Sequence, residues 1–401
     1  MITLNQVSIC ILLFMLLFVI ILNILDFQKK RKVKYYPFIS FIIPCYNDGN
    51  SIEDTIKSIY NSYGQNKFEV IAINDKSTDN SLKILKKLKA KYGFKIINND
   101  KNLGVSESVN NAAKMARGSI LWRIDADVVL NRGAVDDVLG RMQSNEKVAA
   151  VSCPYRIMNR GILGRMQELE VNMMALLTGA QNPHSAVSLW GGCIAVKKEF
   201  FEKVKGFSVN MLTEDIDLAY KLNEIKMKVE QSPYMVHAYS SDNISDWCRQ
   251  KVRWVSGGVQ TMLKHFKILI RHPLYVIFLV LYSILTLFFV IYLIQEILFF
   301  KDVYNSYELL RNTTGLLLSL KAIGLYYGLI FLNGILSKFY FVLFSVPYTF
   351  SSIKESKHWY KIFYAIPFSL IYWPIYSIIS AIGIVKGIIL YARMKSGERA
   401  W

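Results

Sequence analysis

Acidic side chains stand where apolar runs give out along this chain. "SILWRIDAD" ends in Asp125-Ala126-Asp127, two carboxylates two residues apart just past an apolar run. On a strand both would share a face; in the turn beyond it they can be re-aimed at one cation. A hard divalent ion such as Mg2+ takes one or two carboxylates together with phosphate oxygens and water. Metal plus diphosphate is a good leaving-group device, because the cation offsets charge building on the departing oxygen. The plainer reading of an Asp-x-Asp pair is a solvated loop. Asp75 closes "VIAIND" and precedes "KSTDNS". Either this is a turn with Ser77, Thr78 and Asp79 suited to capping the next helix, or the carboxylate accepts hydrogen bonds from a nucleobase at a sheet edge. "MLTEDIDLAYKL" holds Thr213, Glu214, Asp215 and Asp217 at the start of an expected helix. Acids in a first turn complement the helix dipole by about 0.3–1 kcal/mol. An exposed one is also placed to take the proton from a hydroxyl attacking an activated sugar, general-base help of about 10²–10⁴-fold.

A fourth patch, "DWCRQKVRWVSGG" (246–258), is basic and aromatic and lies close before a nearly unbroken apolar tail. On a helix Gln250, Arg253 and Trp254 fall at i, i+3 and i+4 and share one face; Arg249 and Arg253 lie one turn apart. Two readings stand side by side. The helix is amphipathic, with Trp and Arg at headgroup level. Or the same face offers a fork donor for a diphosphate, an amide, and an aromatic platform for the apolar face of a sugar ring.

The elements that must position these groups are legible as an alternation. "FISFIIP" (38–44), "FEVIAIND", "FKIINN" and "SILWRIDAD" read as strands. Between them, "SIEDTIKSIYNSY" has helical apolar spacing at Ile52, Ile56, Ile59 and Tyr60 with Ser51 as N-cap. "NSLKILKKLKAKYG" is a Lys-faced helix ended by Gly93, and "SESVNNAAKMA" a third helix. Strands alternating with helices predict an α/β, Rossmann-like, mostly parallel sheet covered on both faces. Ligands of such sheets bind beyond the carboxyl ends of the strands. Asn47-Asp48, Asn74-Asp75 and Asp125-Ala126-Asp127 each fall at such an end.

Composition sets the frame. The chain has 401 residues, 53% of them hydrophobic, and a formal charge of +18 from 48 Lys and Arg against 30 Asp and Glu. That balance suits one soluble domain joined to membrane segments. The cations flank apolar runs, as in cytoplasmic loops of membrane proteins, which argues against nucleic acid as partner. The five cysteines (Cys10, Cys45, Cys153, Cys193, Cys248) form no Cys-x-x-Cys pair and read as reduced packing residues. Val7–Leu25 is long enough, at roughly 28 Å as a helix, to cross a bilayer core, and reads as a retained anchor. "QKKRKVK" (28–34) follows and places the next domain in the cytoplasm. The expected organisation is an anchor over 1–27, a basic juxtamembrane segment over 28–36, and an α/β domain over 37–245. An interface helix region over 246–272 and a membrane region over 273–401 follow. The tail holds three apolar stretches, Leu274–Phe300, Thr313–Phe350 and Ile362–Tyr391; the second and third contain Lys321, Lys338, Pro367 and Pro374 and are broken or partly interfacial. Arg393, Lys395 and Arg399 favour a cytoplasmic C-terminus, which needs the middle stretch to cross twice or one stretch to lie in the interface.

Taken in order, "IPCYN", "INDKSTDNS", "DAD", "TEDIDL" and "QKVRW" resemble the markers of the family 2 glycosyltransferases, inverting enzymes of the GT-A fold. More narrowly the chain is similar to the processive membrane synthases, and most to the poly-N-acetylglucosamine synthases. The resemblance implies a multi-pass cell-membrane enzyme with a cytoplasmic catalytic domain. It implies a UDP-sugar donor, Mg2+ or Mn2+ as cofactor, and a growing glycan or lipid as acceptor. The bilayer and a possible small accessory membrane subunit are further partners. By the resemblance Asp75 contacts the uracil, with Asn47 also on the donor side. Asp125 and Asp127 bracket nucleotide and metal, Asp127 being the direct ligand. Asp215, with Glu214 beside it, is the general base. Gln250, Arg253 and Trp254 close over the diphosphate and the acceptor end. Trp190-Gly191-Gly192 matches the small-residue strand end where the acceptor approaches; ordinary strand packing is the plainer account of it.

Two departures bear on chain length. Many processive members carry a lysine after the glycine of Asn-x-Gly, where this chain has Val105; Lys101 or Arg123 are possible substitutes. The segment before the Gln-x-x-Arg-Trp motif is "SSDN" (240–243) in place of Pro-Glu. A non-processive enzyme adding one sugar to a lipid acceptor is therefore the second reading, with a hyaluronan- or cellulose-like synthase using another donor as a further variant. A channel or transporter with a nucleotide-sensing domain is the reading from another class, and would need no base opposite the metal acids.

Overall fold

"ISFIIPC" is apolar on both faces, so it requires cover on both sides. In a computed structural model it forms β1 (Ile39–Cys45), the middle of a sheet whose side chains alternate between two cores. The structure describes residues 29–63, 67–271 and 359–396, with a few isolated positions elsewhere. The expected anchor Val7–Leu25 and the apolar stretches Leu274–Phe300 and Thr313–Phe350 lie, but for isolated positions, outside the described residues.

Ile39, Phe41 and Ile43 of β1 point to a core shared with Ile52, Ile56, Ile59 and Tyr63 of α1 (Ile52–Tyr63). Those four fall on one stripe of the helix, as the spacing predicts. Ser51 does not cap this helix with its hydroxyl, which donates instead to the Asp48 carbonyl at 3.4 Å. The second strand, β2 (Phe68–Asn74), pairs parallel with β1. The Lys-faced helix α2 (Ser81–Tyr92) ends where Gly93 takes φ 73° and returns its N–H to the Lys89 carbonyl. Then come β3 (Lys95–Asn98), α3 (Val105–Met115) and β4 (Ile120–Ile124). On the opposite face Ile42 of β1 and Ile71 and Ile73 of β2 pack with Val109, Ala112 and Ala113 of α3.

Beyond β4 the chain makes a short β5 (Val128–Val129), α4 (Arg132–Ser144), β6 (Val148–Ser152), β7 (Tyr155–Ile157) and the long α5 (Ile162–Gly179). It continues through β8 (Cys193–Lys197), α6 (Lys198–Lys203), α7 (Glu214–Glu224), β9 (Lys228–Gln231) and β10 (Val236–Ala238). The main sheet has seven strands in the order β3-β2-β1-β4-β8-β6-β9. Its β3-β2-β1-β4 half is parallel; β8 runs antiparallel to both β4 and β6. A separate three-stranded sheet, β5-β10-β7, packs into the first core through Val128, Val236 and Ala238.

The basic, aromatic patch lies on α8 (Ile244–Lys264), capped by Asn243, whose Oδ1 accepts from the Ser245 N–H at 2.7 Å. Helix α9 (Phe266–Leu269) follows directly. Helix α8 is bolted to α7. A Cβ at Gly257 would fall 2.6 Å from the Thr213 side chain, so only glycine lets the two backbones approach there. Asp217, wholly buried, accepts from Lys264 Nζ at 2.5 Å, Ser208 Oγ at 2.6 Å and His265 Nε2 at 2.9 Å, with Lys221 Nζ at 3.9 Å. Burial alone would push this carboxyl up. The His265 hydrogen bond and the Lys264 ammonium outweigh burial and hold it down at about 2. A depressed carboxyl stabilises the fold fully above its unfolded value of about 3.9 and loses that contribution as pH falls towards 2. Asp217→Asn is accordingly expected to lower the melting temperature at pH 7 and to flatten the loss of stability between about pH 4 and pH 2. Thermal melts of both proteins across that range check it.

Among the described residues one helix, α10 (Trp373–Lys395), is long and apolar enough to cross a membrane. Pro374 is its second residue, directly after the irregular helical turn Phe368–Tyr372. The third apolar stretch is thus a turn of 3-10 helix (Trp359–Tyr364), a short irregular helical passage through Pro367, and then α10. The chain divides into two units, residues 22–272 with 383–401, and residues 1–21 with 273–382. Within the first unit, α10 meets α8 through glycines: a Cβ at Gly383 would lie 2.7 Å from Val255, and one at Gly387 would lie 2.6 Å from the Ser256 carbonyl.

Candidate active site

The carboxyl ends of β1, β2 and β4 carry Asn47-Asp48, Asp75 and Asp125-Ala126-Asp127, as the alternation predicts. Asn47 takes a left-handed backbone (φ 61°) and clips two loops together. Its Oδ1 accepts from the Thr78 N–H at 2.8 Å and hydroxyl at 3.2 Å, and its own N–H donates to Ser77 Oγ at 3.1 Å.

Of the cap candidates before α2, Asp79 accepts from the Ser81 N–H at 2.9 Å, while Asp75 serves another purpose. Its buried carboxylate accepts from Asn99 Nδ2 at 2.8 Å and from the Leu103 and Gly104 N–H groups, each at 2.9 Å. It therefore ties the loop before α3 to the end of β2, and Gly104 (φ 78°) supplies the turn. A carboxylate has about four lone-pair directions, so a nucleobase donor can be added to these three.

Asp127 is pushed up to about 7 by burial, then by the neighbouring charges of Asp125 and Asp48. Asp48 is raised by burial and, after a lowering backbone hydrogen bond from Tyr46, by Asp125 and Asp79. Asp48 was legible as a strand-end acid, yet nothing in its type or spacing marked it as a member of this acidic cluster. Among the described residues no three His, Cys, Asp or Glu side chains form a set that could hold a metal ion by themselves. A crowded pair of carboxylates with one held near neutrality nevertheless suits a divalent ion that draws its remaining ligands from a diphosphate.

Arg123 joins this wall to the next. Its guanidinium is buried, donates from Nε to Asp125 Oδ1 at 3.0 Å and from Nη1 to Glu214 Oε1 at 2.6 Å, and lies 5.5 Å from the Phe207 ring centre. Both candidate substitutes for the lysine missing at Val105 are thereby located. Arg123 is committed to two carboxylates, and Lys101 is exposed. Glu214 is buried against Arg123, whereas the adjacent Asp215 is half-buried and lies against Gly191. Burial, then the charge of Glu214, pushes Asp215 up to about 7, against the opposing pull of Arg123 and Arg253.

The Gly191-Gly192 turn lies between the two acid walls. A Cβ at Gly191 would fall 2.6 Å from Asp215 Oδ2, and one at Gly192 would fall 3.1 Å from Asp125 Oδ2. The Gly192 carbonyl accepts from the Asp125 N–H at 2.9 Å, and the Gly192 N–H donates to the Tyr155 hydroxyl. Tyr155 was not among the sequence candidates. Burial and then the Asp125 charge raise its phenol, with Asp215 acting in the same direction. Trp190 packs edge-on against the Tyr155 ring at 5.2 Å and donates its indole N–H to Gln231 Oε1 at 2.7 Å. Gly191→Ala is expected to displace the Asp215 carboxylate by about 1 Å and to slow transfer about a hundredfold. Turnover at saturating donor, with a melt to show an intact fold, measures it.

Along α8, Gln250, Arg253 and Trp254 have separate fates. Gln250 Oε1 is buried and has no hydrogen-bond partner among the described residues. Arg253 is exposed, and its Nη1 donates to the Leu212 carbonyl at 3.3 Å beside the acid helix. Trp254 carries the Lys251 ammonium 4.0 Å from its ring centre, and buried Lys251 pairs with Glu170 of α5 at 2.8 Å. Arg249 is exposed and paired with Asp246.

A mixed sheet with donor-side acids at its strand ends, and an acid helix facing them across a two-glycine turn, defines a GT-A type α/β domain. The chain carries a glycosyltransferase domain of family 2: residues 40–205 match the family model described as "Glycosyl transferase family 2". A poly-beta-1,6-N-acetyl-D-glucosamine synthase of Staphylococcus epidermidis is 29% identical over 232 residues, which cover 57% of this chain and 56% of the relative. One from Staphylococcus aureus (strain MSSA476) is 28% identical over 246 residues, 60% of each. The chain thus matches little more than half the length of these curated relatives. Among solved structures, a mannosyltransferase from Pyrobaculum calidifontis in complex with GDP-Man and Mn2+ shares the fold at a TM-score of 0.58 and 17% identity, over 95% of this chain and 96% of that one.

Proposed function

We propose that this chain is a membrane-embedded, metal-dependent, inverting glycosyltransferase that uses UDP-N-acetylglucosamine to elongate a β-linked polysaccharide. The observation that carries the reading is the Gly191-Gly192 turn, against which the Asp215 and Asp125 carboxylates both abut. A proton acceptor and a donor-side acid are thus held against adjacent glycines of one turn, with the Tyr155 hydroxyl beside Gly192. Asp215 takes the proton from the acceptor hydroxyl as its oxygen bonds to the anomeric carbon, while the bond from that carbon to the diphosphate breaks and UDP leaves. A carboxyl near 7 holds a useful fraction of base at neutral pH. Asp75, through the loop it organises, and Asn47 shape the uridine side. Asp125 and Asp127 would hold Mg2+ or Mn2+, which when bound supplies positive charge to the diphosphate. Arg253 completes the polar wall with its guanidinium, and Gln250 would add its amide N–H groups as donors. Trp254 offers a stacking face to the acceptor. Glu214 acts through Arg123 as a positioning residue.

The donor sugar is supported by likeness to the synthases above, and the membrane setting by α10 and the apolar tail. The acceptor is the growing glycan, with the bilayer and a small accessory membrane subunit as expected partners. Val105, the first residue of α3, leaves no cation directly after Gly104. It favours the second reading, addition of a single sugar to a lipid acceptor. Purified full-length chain incubated with a panel of UDP-sugars and Mn2+ or Mg2+ tests both. The expected result is UDP release with UDP-N-acetylglucosamine that stops on chelation and returns with metal. Sizing of the radiolabelled product separates polymer from single addition, and no UDP release with any donor would refute the proposal.

A further inference from the structure

The amino ends of β6 and β9 lie at the opposite end of the sheet from the donor-side acids. There the structure forms a cleft of about 270 Å³ that the glycosyl-transfer reading leaves without a role. Its lining includes Lys147, Lys226, Lys228, Arg271, His184 and Ser185, and no carboxylate. Register explains the gathering. Val148 pairs with Lys228 across β6 and β9, so Lys147 and Lys228 flank the same strand start, and the Lys228 N–H donates to the Lys147 carbonyl at 2.7 Å. Lys226 sits in the turn after α7 with a left-handed backbone (φ 62°), a conformation that a side chain adopts only at some expense. Arg271 ends the passage through α9 and reaches the same cleft from the other side.

Four cations around one concavity repel one another unless an anion enters. Of these four, only the Lys228 ammonium has a hydrogen bond among the described residues, to the Pro183 carbonyl at 3.2 Å. Lys147, Lys226 and Arg271 are exposed and have no ion pair among the described residues. Arg271 is also two residues before Pro273, where the chain turns apolar for the stretch to Phe300. The basic cleft is therefore joined directly to the segment expected to enter the bilayer.

We propose that this cleft is a second anion site, separate from the donor diphosphate site, that takes a phosphate monoester or diester group. A lipid headgroup and a free phosphate share that chemistry. The test uses the full-length chain in neutral detergent and the variant Lys226→Gln/Arg271→Gln, both positions being exposed and outside the transfer machinery. Two probes are titrated separately, short-chain phosphatidylglycerol and inorganic pyrophosphate, with short-chain diacylglycerol as the phosphate-free control. At about 1 kcal/mol per cation, the double variant is expected to bind the anionic probe roughly tenfold or more weakly, with UDP binding unchanged. Loss of phosphatidylglycerol binding assigns the site to a lipid headgroup, and loss of pyrophosphate binding alone assigns it to a soluble phosphate. Equal binding by parent and variant, equal binding of the diacylglycerol control, or no binding of either anionic probe to the parent overturns the proposal. Unchanged UDP binding also separates this outcome from any failure of the transfer reading.

Discussion

Asp215→Asn is expected to bind the UDP-sugar as the parent chain does and to transfer it about 10²–10⁴-fold more slowly. The amide keeps the size of the carboxylate and its hydrogen bond from the Ile216 N–H, which is 2.9 Å long. It cannot accept the hydroxyl proton. The pH dependence follows from the raised carboxyl. Below about 7 Asp215 is mostly protonated and unable to act as base, so kcat/KM in the parent should climb with pH through that value and level off above it. In the variant the residual rate should lose this rise. Equilibrium binding of UDP, with initial rates between pH 5.5 and 8.5, measures both. Undiminished turnover in the variant would remove Asp215 as the base and leave the fold assignment untouched.

Arg123→Met is expected to be the most destabilising change near the site. The guanidinium satisfies Asp125 and Glu214 together. Without it a buried carboxylate is stranded beside two others, and breaking a buried pair in this way costs about 3–5 kcal/mol. For a domain of this size that is a fall in melting temperature on the order of 10 °C. A second effect separates this role from mere packing. The Arg123 charge pulls the Asp215 carboxyl down, so its loss should move the acid limb of the pH–rate profile to higher pH. Adding Glu214→Gln removes the stranded charge and should restore part of the stability. A variant that melts like the parent and keeps its pH profile would show that the pair is not what couples the two walls.

The alternation of apolar runs with periodic helices was enough to place Asp75, Asp125, Asp127 and the acid helix, because strand ends in a covered sheet are set by where hydrophobicity stops. The Arg123–Glu214 link was not legible. It joins residues 91 positions apart, and each alone looks like an ordinary charge. Asp75 could be read as part of a turn leading into a helix cap or as a base contact. The structure shows a third use, fastening a loop whose only local signal was Gly104. The strands β5, β7 and β10 escaped notice because two or three residues carry no period. The Gly191-Gly192 turn was visible as small residues near an acceptor, but its need for glycine became apparent only once Asp215 was seen against it. Nothing in the tail's composition could have said that Gly383 and Gly387 let α10 lie against α8.

That double fastening of α8 has a mechanical corollary. Held to the acid helix by Gly257 and Asp217, and to α10 by its glycines, α8 cannot swing Trp254 aside without dragging Asp215 off station. A displacement of either helix is therefore felt by the other.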